Sequence, residues 1–156
     1  VLIGDGPELA RAKAEAEGID GITFTGAVDH GRMPACLAAS DIGVAPFDVT
    51  AHPPLQLAFY WSPLKVFEYM AAGLPVVAPA LPRLARILGP EHDRLLYDAS
   101  APRALADALA YAAGHEDERR RLGETARRRV CDQYSWAAHC RALDEAMRLA
   151  MRRRSR

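Results

Sequence analysis

The sequence predicts an α/β protein: a doubly wound, Rossmann-like parallel sheet followed by a helical C-terminal extension. Two patterns carry that expectation. Short apolar, β-rich runs (VLI, ITFT, IGVA, PVVA and LLY, within residues 1–97) alternate with stretches of helical pattern, and alternation at that spacing implies parallel strands covered by helices on both faces. Beyond residue 100 only helical patterns follow. With 156 residues, 50% of them hydrophobic and 26% charged, the chain suffices for one domain with a buried core.

Taken in order, residues 1–3 read as a buried strand, Gly4, Asp5 and Gly6 as a turn, and Pro7 as the first position of a helix that stops at Gly18. Residues 22–25 form the next strand, ending at Gly26, and a helix over 33–39 leads through Asp41 into the strand 42–45. Residues 47–61 lose all periodicity and contain His52, Pro53 and Pro54. They read as a long loop, and loops of that length in compact domains commonly carry function. A helix over 64–72 stops at Gly73, a strand occupies 75–78, a short helix runs up to Leu88, and a last strand spans 95–97. Ser100 and Pro102 are expected to cap and open the next helix, residues 116–133 to form a charged one, and Ser135 to cap a final helix from Trp136.

Composition removes several classes of function. The 20 basic residues balance the 20 acidic ones, so no net field favours a nucleic-acid partner. Cys36, Cys131 and Cys140 form neither a CxxC pair nor a metal-ligand spacing, and the five histidines do not cluster, which points to reduced thiols and no metal. No apolar run reaches the roughly 20 residues needed to span a bilayer, and no charged-then-apolar leader opens the chain. A cytoplasmic protein is expected, with the inner membrane face as a second location. The arginines within 119–129 read as a solvated helix face, peripheral contact with acidic lipid being the minority alternative. Lys13 and Lys65 are the only lysines, which singles out Lys65.

Ligands of open α/β sheets sit beyond the carboxyl ends of the strands. The candidates are therefore the turns after VLI, TFT, GVA and VVA. The fullest adjoining segment, YWSPLKVFEYMAAGLPVVA, delivers Ser62, Pro63, Leu64 and Lys65 at a helix start. First-turn amides and the helix dipole suit a diphosphate there, with Lys65 adding a full charge. Glu68, three residues on, shares the face of Lys65 and suits a ribose diol. Spacing alone favours the plainer reading, an ordinary exposed helix pair worth a few tenths of a kcal/mol.

Together VLIGDGPE, ITFTGAV, AASDIGVAPF, SPLKVFEYMAAGLPVVA and the late QYSW cover nearly the whole chain. In that order they resemble the C-terminal, nucleotide-sugar-binding domain of family-four retaining glycosyltransferases of the GT-B fold. The resemblance implies that Glu68 is the second glutamate of the paired-glutamate motif and holds the ribose, while the adjoining helix start receives the diphosphate. It places Gly4, Asp5 and Gly6 in the turn lining the donor site, and has backbone groups of Gly26, Ala27 and Val28 reading part of the base. The substrate implied is a nucleotide diphosphate sugar such as a UDP- or GDP-sugar, with no cofactor.

Two departures from the family pattern stand out. The first glutamate falls on Tyr60, which either binds a sugar hydroxyl or packs as an aromatic, and similar SPLK-type segments use Lys65 in that role. Arg83 and Arg86 occupy a neighbourhood where the family has small residues and a glutamate. The resemblance also implies that the family's first strand of this domain and the N-terminal acceptor domain are absent from residues 1–156. The chain is then expected to be inactive alone, to need that other domain as its partner, and to self-associate through unpaired strands. Rival readings are a GT-B nucleotide-sugar epimerase and a non-catalytic nucleotide-binding module. Tyr134 and Trp136 are expected to anchor the terminal helix.

Overall fold

The computed structural model describes residues 1–47 and 62–154. Tyr60 and most of the long loop, residues 48–61, lie outside the described residues. The chain divides into two compact units, Val1–Cys36 and Leu37–Arg156, each described by itself.

In the first unit, β1 (Leu2–Ile3) pairs parallel with β2 (Phe24–Gly26), joined by α1 (Leu9–Glu15). A 3-10 turn (His30–Arg32) precedes α2 (Met33–Ala38), which begins in this unit and ends in the second. The expectation of a buried first strand fails: Leu2 is 48% and Ile3 37% exposed, and β1 has a partner on one edge only among the described residues. α1 starts two residues after Pro7 and stops at Glu15 rather than at Gly18, since residues 16–18 unwind into a turn that Gly18 completes at φ 77°.

The second unit holds a three-stranded parallel sheet in the order β3 (Gly43–Val44), β4 (Val76–Pro79), β5 (Leu96–Tyr97). Its helices are α3 (Leu64–Ala71), α4 (Pro82–Leu88), a 3-10 helix (Pro90–Leu95), α5 (Ala104–Gly114), α6 (Glu116–Gln133) and α7 (Trp136–Arg154). All four residues of β4 are buried, and strand alternation sends them to opposite faces. Val76 and Ala78 pack with Val66, Met70, Leu84, Leu88, Ala126 and Val130 from α3, α4 and α6. Val77 packs with Leu95, Ala108, Ala112 and Leu122 on the other side. A central strand apolar on both faces and covered by helices on both is the doubly wound arrangement the sequence predicts. The chain is thus a mixed α/β structure with parallel strands and a helical C-terminal region, consistent with a Rossmann-like half of a GT-B fold.

Gly73 ends α3 as expected. Its φ is 78°, its N–H donates to Met70 O at 3.0 Å, and the Leu74 N–H donates to Tyr69 O at 3.0 Å. This is a Schellman motif, in which both orphan carbonyls are satisfied and only glycine takes the left-handed position without strain. The helix cap expected at Ser100 forms differently: its amide and hydroxyl donate to the Asp98 carboxylate at 2.9 and 2.7 Å. α5 begins later, at Ala104, after Arg103 turns through φ 71°. Ser135 caps as predicted, accepting from the Ala138 N–H at 3.2 Å.

Candidate functional site

Within the first unit the two predicted glycine turns come together. The Gly4 N–H donates to Gly26 O at 2.9 Å and the two residues form a bridge. Both have positive φ, 143° and 69°, so this crossing of backbones requires glycine on each side. Asp5, Gly6 and Ala27 are exposed around it and Val28 is half-buried. The result is a strip of backbone amides and carbonyls with no Cβ at its centre, able to approach a flat ligand closely.

In the second unit, Pro63 is buried and forms the N-cap of α3 at φ −80°, ψ 70°, without a capping side chain. Its carbonyl accepts from Val66 at 2.9 Å and Phe67 at 3.3 Å, and the Leu64 N–H donates to Ser62 O at 2.9 Å. Ser62 and Leu64 are exposed. The positive end of the helix dipole therefore faces outward with no carboxylate from the chain neutralising it among the described residues. Lys65 and Glu68 are exposed on one helix face but make no ion pair with each other. Lys65 Nζ lies instead 5.3 Å from the centroid of the Phe47 ring, a cation–π contact. The adjoining Tyr69 hydroxyl donates to Val44 O at 3.3 Å. Burial, aided by the Glu68 charge, raises its pKa.

Two grooves flank this segment. One, of about 870 Å³, runs along the carboxyl ends of all three strands of the sheet and is lined by Phe47, Leu81, Tyr97, Asp98 and Arg103 among others. Here Asp98 is held below the usual carboxylate range by the Ser100 hydroxyl and amide, and burial pushes the Tyr97 phenol up. The other, of about 820 Å³, is lined by Ser62 and Leu64 at the start of α3, by Arg83 and Arg86 of α4, and by Trp136 and His139 of α7. Sequence reasoning missed this second groove. It gave Trp136 an anchoring role, whereas Trp136 is 83% exposed. The available signal was Arg83 and Arg86, three residues apart on one helix. No described helix is long and apolar enough to cross a membrane.

A parallel sheet with a ligand-sized groove at its carboxyl edge and helices on both faces defines a Rossmann-like α/β domain. Its family follows from comparison: the family model for Glycosyl transferases group 1 matches residues 1–115, and the chain belongs to that family. A curated relative is TuaH of Bacillus subtilis (strain 168), to which a glycosyltransferase role in teichuronic acid biosynthesis is ascribed. It is 35% identical over 69 residues. That match covers 44% of this chain and 16% of the relative.

Proposed function

We propose that this chain binds the nucleotide diphosphate of a sugar donor and serves retaining glycosyl transfer by the protein that contains it, a family-four enzyme of the hexosyltransferase type. The observation that carries the reading is the start of α3. An outward-facing, uncapped helix terminus stands beside Lys65, with Glu68 one turn further along the same face and bound to no cation among the described residues. The diphosphate is taken by the helix start and Lys65, and the ribose diol by Glu68. The acceptor is a glycan, lipid or small molecule held by another domain. The chain's contribution to the reaction is to position the donor and stabilise charge on the leaving diphosphate.

Calorimetric titration with UDP and GDP tests this. Glu68→Gln is expected to weaken binding by roughly 1 to 2 kcal/mol, because a neutral amide accepts more weakly from a diol than a carboxylate does. Unchanged affinity removes Glu68 from the site. Lys65→Ala should weaken nucleoside diphosphate binding and leave nucleoside binding intact, and the deficit should shrink at high salt as screening weakens the native attraction. Equal losses for nucleoside and nucleoside diphosphate contradict that assignment.

A further inference from the structure

The geometry points to Asp98 and Arg103 as residues that select the sugar, holding neighbouring hydroxyls of a neutral pyranose in the groove of about 870 Å³ at the carboxyl ends of the strands. The choice of a saccharide rests on the glycosyl-transfer reading above. Asp98 and Arg103 line that groove together with Phe47, Leu81 and Tyr97. In such a concavity a few convergent polar groups on a largely apolar wall fix the orientation of a small ligand.

Both charged groups are positioned by the backbone and neither is answered. Asp98 directly follows β5, and its carbonyl accepts from the Ala101 N–H at 3.1 Å. The Ser100 amide and hydroxyl both donate to Oδ1, at 2.9 and 2.7 Å, which orients the carboxylate and favours its charged form. Oδ2 has no hydrogen-bond partner among the described residues. Arg103 is the one non-glycine residue with positive φ among the described residues, at 71°. Its carbonyl accepts from the Asp107 N–H at 2.8 Å at the start of α5. Its guanidinium makes neither a hydrogen bond nor an ion pair among the described residues, and so does not pair with Asp98. A left-handed turn strains arginine where glycine would be at ease, and strain of that kind gathers at binding sites.

A carboxylate and a guanidinium in one groove, each open to a partner, disfavour ions of either sign. An acidic ligand is repelled by Asp98 and an ammonium by Arg103. A hydroxyl suits both, donating to Oδ2 of the one and accepting from the other, and neighbouring hydroxyls of a pyranose can do so together. The Tyr97 ring adds an apolar surface for the C–H face of the sugar. Phe47 connects this groove to the diphosphate end: its ring lines the groove and lies 5.3 Å, at its centroid, from Lys65 Nζ. A sugar joined to a diphosphate at Lys65 enters from that side.

The sugar is either the one the donor carries or one belonging to the acceptor, and titrations on the full chain separate these sources. The donor arm compares UDP-glucose with UDP and GDP-mannose with GDP; the acceptor arm uses maltotetraose alone. The expected result is a gain of roughly ten-fold or more from the hexose in at least one donor pair, or binding of maltotetraose. Asp98→Ala and Arg103→Gly should each abolish that gain or that binding while UDP and GDP bind as before. Glycine takes the left-handed turn more readily than arginine, so a loss of sugar binding in Arg103→Gly is not a loss of fold. Failure of the nucleotide reading shows separately, as UDP and GDP that do not bind while maltotetraose does. The proposal is overturned if no hexose adds affinity and maltotetraose does not bind, if either variant keeps the sugar contribution, or if UDP-glucuronate is held more tightly than UDP-glucose.

Discussion

Lowering the pH from 7 to 4 is expected to cost the Leu37–Arg156 unit about 3 kcal/mol of folding stability through His92 alone. The imidazole is fully buried and both of its nitrogens lack a hydrogen-bond partner among the described residues. Burial pushes its pKa down from 6.5 to about 4, the Glu91 charge and the nearby Leu88 carbonyl opposing only weakly and Arg121 and Arg129 adding to the fall. The folded-state value lies below the unfolded one, so the unfolded chain takes up the proton first as the pH drops. Stability is therefore intact above about pH 6.5, is lost as the pH falls from there to about 4, and levels off below. Carboxylates titrate over part of the same range, so urea denaturation at pH 7 and pH 4 should be read as the difference between the native chain and His92→Leu. The variant should lack this component and should be no less stable than the native chain at pH 7, since it removes an unsatisfied buried polar ring. Parallel acid sensitivity in both proteins rejects the assignment.

Replacing Gly123 by alanine is expected to destabilise the same unit by about 2 kcal/mol, against the usual gain of about 1 kcal/mol for that exchange in a helix. A Cβ at Gly123 runs directly into the carbonyl of Gly73, a backbone oxygen fixed in the Schellman turn, which no side-chain rotation relieves. The whole of α6 must then shift off the end of α3, at an overpacking cost of roughly 3 kcal/mol. Thermal melting should fall by roughly 4 to 8 °C in a chain of this length. Gly114→Ala is the control, because nothing lies within 4 Å of its added Cβ. A Gly123→Ala protein that melts at or above the native temperature shows that the two helices tolerate separation.

Much of the architecture was legible because it depends on local chemistry. PVVA can only be a strand apolar on both faces, and Val76, Val77 and Ala78 divide between two clusters as period two demands. Gly73 announced the end of α3, and SPLK its beginning. The errors arise where a residue's partner is distant or competing. Ser100 had an Asp98 carboxylate two residues away and bonded to that instead of capping α5. The burial of residues 1–3 depended on strand neighbours that periodicity cannot report. Of the arginine groove only Arg83 and Arg86 on one helix were legible, because the groove needs α3, α4 and α7 to converge and no spacing within residues 62–139 encodes that meeting. His92 gave no warning either: a lone histidine in PEHDRL looks solvated until Leu95 and the flanking helices close over it.

No residue in the stretch 1–36 is fully buried, whereas every member of both core clusters belongs to the Leu37–Arg156 unit. Substitution in the core unit is held in check by packing, where one methylene too many or too few is felt. The first unit is under little such restraint apart from Gly4 and Gly26, whose backbone conformations exclude side chains. Mutational drift there is screened chiefly by what its surface touches. Descendants of this sequence can therefore change the residues around the two fixed glycines quickly, and alter what that surface recognises, while the folding of the second unit stays as it is.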